Sequence, residues 1–249
     1  MMIKSVAQIE KVRRACRVVA EVLQQLREQA RPGVTTGELD DLAEAYIRKQ
    51  GCLPAFKGYQ GYPKTLCTSV NDQIVHGIPS GYVLKSGDLL SVDVGAVYEG
   101  FYGDGATTLL MGEVSDTHRL LAEVTEQSLY KGIAEARPGN RLSDISHAVQ
   151  SHVEKFGFAV VRDFVGHGIG SQLHEEPQVP NFGPPGQGPV LKAGMLLALE
   201  PMVNEFTPHV RVLSDRWTAV TVDGGYSAHF EHTIRITDDG PEILTRMGE

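Results

Sequence analysis

The sequence predicts an α+β fold built from two related halves, each made of two helices followed by strands and packed together as one domain, residues 1–249. Three observations lead to it: paired stretches of helical periodicity, clusters of strand-forming residues, and an internal repeat. ARPG begins at 30 and at 136, an offset of 106 residues, while LKSGDLLSVD at 84 aligns with LKAGMLLALE at 191, an offset of 107. Unrelated short matches rarely keep both order and spacing, so we infer halves of about 5–112 and 115–245.

Two pairs of amphipathic helices are expected, one pair in each half. Apolar residues from 6 to 26 recur every three or four positions, which predicts a first helix that stops at the ARPG of 30–33. Thr35, with Glu38 three positions later, forms a capping box for a second helix through Ile47. The same pattern predicts helices over about 116–136 and 142–156.

Strand-forming segments follow each helix pair. Residues 57–83 are rich in glycine, tyrosine and proline and predict a loop-dominated region with a short extended piece at 66–70. Residues 84–112 combine valine, leucine and threonine with turn residues, which predicts two or three strands. In the second half, a proline- and glycine-rich loop at 177–189 precedes further strands between 191 and 237.

Composition limits the class of protein and its partners. Lysine and arginine number 23 against 31 aspartate and glutamate residues, so the net charge of −8 argues against binding to nucleic acid or to an anionic membrane surface. The three cysteines form no paired framework, which indicates a reducing compartment, and no apolar run reaches membrane-spanning length. We therefore expect a soluble cytoplasmic protein without a signal peptide.

The segment FVGHGIGSQLHEEP, residues 164–177, places two histidines seven positions apart among glycines. Glycines beside His167 let the backbone lie close to whatever the imidazole holds. A loop histidine with one satisfied hydrogen bond is the ordinary alternative for such a pattern. The acidic residues elsewhere in the chain help to decide between the two.

The repeat aligns Asp93 with Glu200, and both acids lie in apolar segments. Burying an unpaired carboxylate costs several kcal/mol, so each needs a metal, a basic partner or a proton. Asp104 and Glu231 occupy comparable strand contexts, which makes four acids, two in each half. Each acid taken singly is well explained as a strand-end carboxylate that faces water or backbone amides.

Four carboxylates and the His167 imidazole together form an oxygen-rich donor set suited to Mn, Fe, Co or Zn. This set is too large for one catalytic ion that keeps an open position. Two adjacent divalent ions sharing bridging carboxylates account for all five side chains. Such ion pairs bind and deprotonate water for hydrolysis.

One protein family has the same acids and histidine in the same order. The chain closely resembles the type I methionine aminopeptidases of metallopeptidase family M24, from its first helix to about residue 236, in VDVGAVYEGFYGDGATT, GHGIGSQLHEEP, LALEPMV and SAHFEHT. The resemblance implies the pita-bread fold, with two pseudo-symmetric αα-β halves around a curved, mainly antiparallel sheet. It also implies a dimetal hydrolase that removes the initiator methionine from nascent proteins with a small second residue, through a metal-bridging hydroxide.

The resemblance implies a metal-binding role for each of the five matching residues. Asp93 would chelate one ion, and Asp104 and Glu231 would bridge both. His167 and Glu200 would complete the shell of the other ion.

Three residues would act on the peptide according to the same resemblance. His174 would hydrogen bond the scissile carbonyl and stabilise the oxyanion as charge develops. His76 would contact the peptide nitrogen or the leaving amine. Glu200 is the candidate proton shuttle.

The methionine pocket implied by the family is apolar and close-fitting. Phe56 stands where cysteine is common and Leu173 where phenylalanine is common, which leaves the shape of the pocket open but not the reaction. Ordinary loop packing is an alternative explanation for Tyr59 and Tyr62. The matching pocket residues are Phe56, Tyr59, Tyr62, Cys67, His76, Leu173 and Trp217.

The resemblance also concerns further ligands and partners. The family can hold a monovalent cation, Na or K, near positions matching Asn71 and Ser227. Its substrates are the N-terminal methionyl peptides of nascent chains; contact with the ribosome stays open, and we expect a monomer. Since Met2 is bulky, the resemblance implies that this chain keeps Met1.

Four rival interpretations share parts of this pattern. Proline-directed aminopeptidases and prolidases usually carry an N-terminal domain, whereas the first helix here is expected within ten residues of the start. The 26 positions from His174 to Glu200 leave no room for the helical insertion of the type II enzymes. A binding protein that had lost catalysis would usually show a broken ligand set. The two further histidines and the aromatic loop argue against a purely structural metal site.

Overall fold

A computed structural model of the protein describes residues 3–246. It contains four α-helices, α1 (Val6–Gln29), α2 (Thr36–Lys49), α3 (Asp116–Glu135) and α4 (Leu142–Glu154). Each lies where the apolar periodicity predicts a helix, with ends that differ by no more than three residues. Met1 and Met2, which carry the expectation of a retained initiator methionine, lie outside the described residues.

Side-chain caps explain why the first two helices begin where they do. Ser5 accepts a hydrogen bond from Gln8 N at 3.3 Å and donates its own N–H to Gln8 Oε1 at 2.9 Å. The predicted capping box at α2 is present, because Thr35 Oγ1 accepts from Glu38 N at 3.1 Å and Thr35 N donates to Glu38 Oε2 at 2.7 Å. These bonds satisfy amide groups that the first turn of a helix leaves without partners.

The strands of the first half are short except for one long hairpin. They are β1 (Leu53–Pro54), β2 (Leu66–Val70), β3 (Gln73–Val75), β4 (Leu89–Tyr98) and β5 (Phe101–Leu110). The strands of the second half are β6 (Ala159–Val160), β7 (Gly166–Gly168), β8 (Glu175–Val179), β9 (Leu196–Leu199), β10 (Met202–Asn204), β11 (Val210–Val212), β12 (Ala219–Thr221), β13 (Ser227–His229), β14 (Glu231–Thr237) and β15 (Gly240–Ile243).

The main sheet joins the two halves. Its strand order is β1-β4-β5-β14-β9-β7-β8, with β2 also paired to β4 and β15 to β14. Two smaller sheets, β13-β10-β6 and β11-β12-β3, flank it. Every strand pairing within the described chain is antiparallel, which confirms the predicted α+β class and the mainly antiparallel sheet.

Each helix pair packs on its own part of the sheet. α1 lies on β4 and β5 with α2 beside it, while α3 lies on β9 and β14 with α4 beside it. Burying each large aliphatic side chain stabilises the fold by ~1.5–3 kcal/mol. The first core includes Val18, Leu26, Leu39, Ile47, Leu66 and Leu90, and the second includes Leu121, Leu129, Ile145, Leu197 and Ile234.

The close approach of α1 to the sheet depends on a glycine. A Cβ added at Gly103 in β5 would lie 2.6 Å from the backbone nitrogen of Cys16 in α1. That distance is too short for any residue with a side chain to fit without moving the helix. The helices therefore cover one face of the sheet, and the opposite face is available for polar side chains.

Within residues 3–246, no helix is both long and apolar enough to cross a bilayer.

Candidate metal centre

Strand register brings the predicted acids together at the junction of the two halves. Asp93 in β4 pairs with Ala106 in β5, and Glu231 in β14 pairs with the same alanine from the other side. Paired residues of antiparallel strands point to the same face, and so do residues two apart in one strand. Asp104, two positions before Ala106, therefore shares this face with both acids.

The other two predicted ligands reach the same place from β7 and β9. His167 pairs with Ala198, which in turn pairs with Thr233 of β14. Thr233 lies two positions after Glu231, and Glu200 lies two positions after Ala198, just past the end of β9. The register thus places His167 and Glu200 beside the three acids of the hairpin junction.

The backbone of His167 lies close to its neighbours because glycines flank it. A Cβ at Gly166 would overlap the carbonyl oxygen of Ala198, and one at Gly168 would lie 2.9 Å from the Glu176 carbonyl carbon. His167 Nδ1 lies 2.9 Å from Gly168 O. A carbonyl can only accept, so the imidazole proton is on Nδ1 and the lone pair of Nε2 is available to a metal.

His167 Nε2 faces carboxylates. It lies 3.4 Å from Glu200 Oε1, and atoms of Asp104, His167 and Glu231 that can ligate a metal all lie within 4.8 Å of one another. Burial, and then the neighbouring His174, lower the pKa of His167 to about 4. The ring is therefore neutral near pH 7, the form in which imidazole binds metal ions.

Burial disfavours the ionised form of all four carboxyl groups, and neighbouring acids add to this effect at three of them. Burial raises the pKa of Asp93 to about 7 against a weaker opposing hydrogen bond to Asp104. Burial, reinforced by the charges of neighbouring acids, raises the pKa values of Asp104, Glu200 and Glu231 well above their usual range. Among residues 3–246, no lysine or arginine forms a salt bridge with any of the four.

Divalent cations fit this donor set. Asp93 Oδ1 and Glu231 Oε1 are buried and have no hydrogen-bond partner within the described residues. Buried acceptors of this kind normally have a partner, and several carboxylates around one imidazole are ligands that Mn, Fe, Co and Zn accept. Positive charge placed here would favour the ionised carboxylates and so offset the burial and the repulsion that raise these pKa values.

Metal removal should make the stability of the protein depend on pH. A carboxyl group with a raised folded-state pKa adds stability below its unfolded pKa of about 4 and loses it as pH rises through the folded value. Between pH 6.5 and 8 we expect the melting temperature of the chelator-treated protein to fall, by about 2–4 °C for each kcal/mol lost. Differential scanning calorimetry should show a smaller fall for Mn-loaded protein. Equal slopes for the two forms would contradict the carboxylate cluster.

A cavity of about 220 Å³ opens onto the cluster. It is lined by all five predicted ligands, by His174, and by all seven predicted pocket residues. The structure therefore brings the whole predicted set together, and each residue's role remains a prediction. Sequence reasoning missed six other lining residues, Gln60, Val75, Phe164, Val165, Met202 and His229.

His229 is the missed residue with the clearest sequence signal. It lies two positions before Glu231, and both side chains line the cavity. It is 2% exposed, and its Nε2 has no hydrogen-bond partner within the described chain. Burial, and then His76, lower the pKa of His229 to about 3, so its imidazole at the cavity wall is neutral near pH 7.

The two histidines predicted to act on the peptide line this cavity from separate loops. His174 Nδ1 lies 2.9 Å from the hydroxyl of Tyr59, and burial lowers the pKa of His174. His76 has a φ of 60° and packs edge-on against Phe164 and Trp217 at centroid distances of 5.3 and 6.4 Å. Burial, and then His174, lower the pKa of His76 to about 4.

The apolar end of the cavity is closely packed and hydrogen-bonded. The buried Tyr62 hydroxyl donates to Leu66 O and Gly77 O, at 2.9 and 3.1 Å, and its ring meets Trp217 edge-on at 5.0 Å. The Phe56 ring packs directly against Gly95, where an added Cβ would lie only 2.7 Å from it. The ring fits because glycine has no side chain. The resulting cluster of Ala55, Phe56, Tyr62, Cys67 and Leu173 forms one contiguous apolar wall.

The predicted monovalent cation concerns two residues that the structure also brings together. Ser227 N donates to Asn71 O at 2.9 Å, and Asn71 has a φ of 59°. The Asn71 side chain bonds Asp88 and the Leu89 amide, which fixes this turn. A cation at this turn remains a prediction.

Comparison with known proteins matches residues 10–238 to metallopeptidase family M24. The methionine aminopeptidase 1 of Bacillus subtilis is 55% identical over 236 residues, which cover 95% of each chain. The methionine aminopeptidase of Clostridium acetobutylicum is 52% identical over 246 residues, which cover 98% of each chain. The similarity therefore extends over nearly the whole of these proteins.

Solved structures give the same result at the level of the fold. The methionine aminopeptidase of Thermotoga maritima matches with a TM-score of 0.98 and 50% identity, over 99% of this chain and 100% of that one. The prolidase of Pyrococcus horikoshii matches with a TM-score of 0.80 at 22% identity, this chain covering 64% of its length. The first likeness confirms the predicted pita-bread fold, and the second shows that more distant proteins share it.

Proposed function

This chain belongs to metallopeptidase family M24, and from that premise we propose that it removes the initiator methionine from nascent proteins whose second residue is small. The high identity to methionine aminopeptidases supports this activity over others in the family. We propose further that it works in the cytoplasm as a monomeric, single-domain enzyme. Contact with the ribosome, where nascent chains emerge, is compatible with this proposal. Three buried free cysteines agree with a reducing compartment.

One observation carries the proposal: a single cavity joins a largely buried cluster of four carboxylates and an imidazole to an apolar pocket. Its volume of about 220 Å³ lies below the range of roughly 300–1,000 Å³ typical of sites for drug-sized ligands. Such a cavity suits one long, unbranched apolar side chain better than a longer segment of peptide. A substrate whose first side chain fills the apolar end would present its first peptide bond to the carboxylates.

Two divalent ions, drawn from Co, Mn, Fe or Zn and held by Asp93, Asp104, His167, Glu200 and Glu231, would supply Lewis acidity and an activated water. The protein's own residues orient the substrate. His174, neutral at pH 7 and held by the Tyr59 hydroxyl, is suited to donate an N–H to the oxygen on which negative charge develops.

Proton transfer would involve two further side chains. Glu200, a carboxylate that lines the cavity, is the side chain that would carry a proton toward the leaving amine. His76 is neutral near pH 7 and lies at the cavity wall, where it can contact the peptide nitrogen. The apolar wall opposite excludes water from the methionine side chain. A monovalent cation at Asn71 and Ser227 would stiffen the turn beside β13.

Prolidase activity is the alternative on the same fold, and identity weighs against it. The prolidase match is at 22% identity, whereas the methionine aminopeptidases of Bacillus subtilis and Thermotoga maritima match at 55% and 50%. A catalytically silent binding protein is a second alternative. The intact five-residue donor set and the adjoining pocket argue for a working hydrolase.

A peptide panel tests the proposal. We expect metal-loaded protein to release free methionine from Met-Gly-Met-Met, and at least about tenfold more slowly from Met-Leu-Met-Met, since a bulky second residue is excluded sterically. Gly-Pro dipeptide serves as the prolidase substrate and should stay intact. Chromatography of free amino acids measures all three. Cleavage of Gly-Pro without release of methionine would overturn the proposal.

A further inference from the structure

The loop 170–174, between β7 and β8, carries the site residues Leu173 and His174. The segment before α1 packs against this loop. Lys4 lies next to the cap of α1, and its side chain is only 4% exposed. Lys4 Nζ lies 2.7 Å from Glu175 Oε2 and 2.9 Å from Glu175 Oε1. Glu175 is the residue directly after His174, so this ion pair connects the beginning of the chain to the candidate active site.

The same carboxylate also closes the loop on itself. Glu175 Oε1 accepts hydrogen bonds from the backbone N–H of Ser171 at 2.7 Å, from its hydroxyl at 3.0 Å, and from the N–H of Gln172 at 3.2 Å. Both ends of the loop are therefore fixed to one side chain. Lys4 is the only cation within residues 3–246 that forms a salt bridge with Glu175.

Close packing adds a second constraint on the loop. A Cβ at Gly170 would lie 2.8 Å from Lys4 Nζ and 3.0 Å from Glu175 Oε1, so the ammonium group rests directly against the loop backbone. On its other side, the Gly170 carbonyl accepts a hydrogen bond from Tyr102 N at 2.8 Å. The loop is held between β5 and the segment that precedes α1.

The two site residues of this loop depend on it to different degrees. Leu173 is 2% exposed and packs among Phe56, Tyr62 and Cys67, so the apolar wall holds it independently of the ion pair. His174 has one hydrogen-bond partner in the described chain, the Tyr59 hydroxyl. Loss of the ion pair should therefore disturb the imidazole more than the pocket wall.

We propose that Lys4 is a positioning residue which, through Glu175, holds the loop 170–174 so that His174 faces the reacting carbonyl. This inference rests on the proposed function of the cavity. Lys4 does not line the cavity, and its side-chain hydrogen bonds go to Glu175 and not to a predicted ligand or pocket residue. A displacement of about 1 Å in a catalytic group can lower a rate about a hundredfold, so a remote ion pair can have a large effect.

A double-mutant cycle tests this inference. Lys4→Met removes the ammonium group and keeps an apolar stem; we expect kcat for methionine release to fall at least about tenfold, with KM changed less than about threefold. In a His174→Ala background, Lys4→Met should lower kcat by less than about twofold more, because residues acting through one group are not additive. Lys11→Met is the matched control, since Lys11 forms an exposed salt bridge with Glu99 at 2.9 Å. It should leave kcat unchanged.

Several results would overturn the positioning role. An equal fall in kcat from Lys4→Met in both backgrounds would show a general structural effect. Wild-type kcat in folded Lys4→Met would show no role at all. If a thermal unfolding measurement shows that Lys4→Met is not folded, Glu175→Gln serves as the second variant. Its loss of kcat should be non-additive with that of His174→Ala in the same way. Failure of the wild-type protein to release methionine would instead refute the proposed function.

Discussion

His167→Ala is expected to lower metal affinity by at least about a hundredfold and to abolish methionine release at limiting metal. The imidazole offers the nitrogen in a set of carboxylates, and its Nε2 lone pair is freed by the hydrogen bond from Nδ1 to Gly168 O. Altering groups that only orient a metal ligand typically costs 10–100-fold in affinity, so losing the ligand itself should cost at least as much. Mass-spectrometric metal analysis after dialysis against buffered metal measures the effect.

The control for this variant is His147→Ala, at an exposed histidine of α4. It should retain full metal content and activity. If His167→Ala retained as much metal as the control, His167 would not be a ligand. High concentrations of added metal should partly restore activity to His167→Ala, because the four carboxylates remain in place.

His174→Ala should have the opposite pattern, with full metal content but a kcat about 10²–10³-fold lower, the typical cost of removing an oxyanion donor. The His174 ring lies beside His167, with centroids 4.5 Å apart, yet its Nδ1 bonds Tyr59 rather than a carboxylate of the cluster. Single-turnover release of methionine and metal analysis of the same sample separate the two effects.

Two outcomes would contradict the assignment of His174. Full activity in His174→Ala would remove the oxyanion role, and loss of metal would make His174 a ligand instead. Tyr59→Phe gives a graded comparison, since it removes only the hydroxyl that orients the ring. We expect its kcat to fall between those of wild type and His174→Ala.

Local chemistry explains what the sequence could predict. The helices follow from apolar periodicity and from caps such as Thr35 with Glu38, whose interactions span only a few residues. The ligand set could be found because the repeat aligns Asp93 with Glu200 and because acids stand within apolar strands. The family resemblance then linked these residues to a reaction.

Long-range pairing explains what the sequence could not predict. Strands of two or three residues, such as β1 and β6, form only because a partner strand offers hydrogen bonds, so local composition gives no sign of them. The Lys4 and Glu175 pair spans 171 positions, and its lysine has no unusual sequence context. His229 was missed although it lies only two positions before the predicted ligand Glu231.

Metal-dependent release of methionine tests the central claim most directly. Chelator-treated protein is titrated with Mn(II) under anaerobic conditions while free methionine from Met-Gly-Met-Met is measured. We predict no release above background without metal, and a rate that rises with added ion and levels off at about two equivalents, as for two-ion hydrolases. Release of methionine at the plateau rate by the metal-free protein would contradict the account.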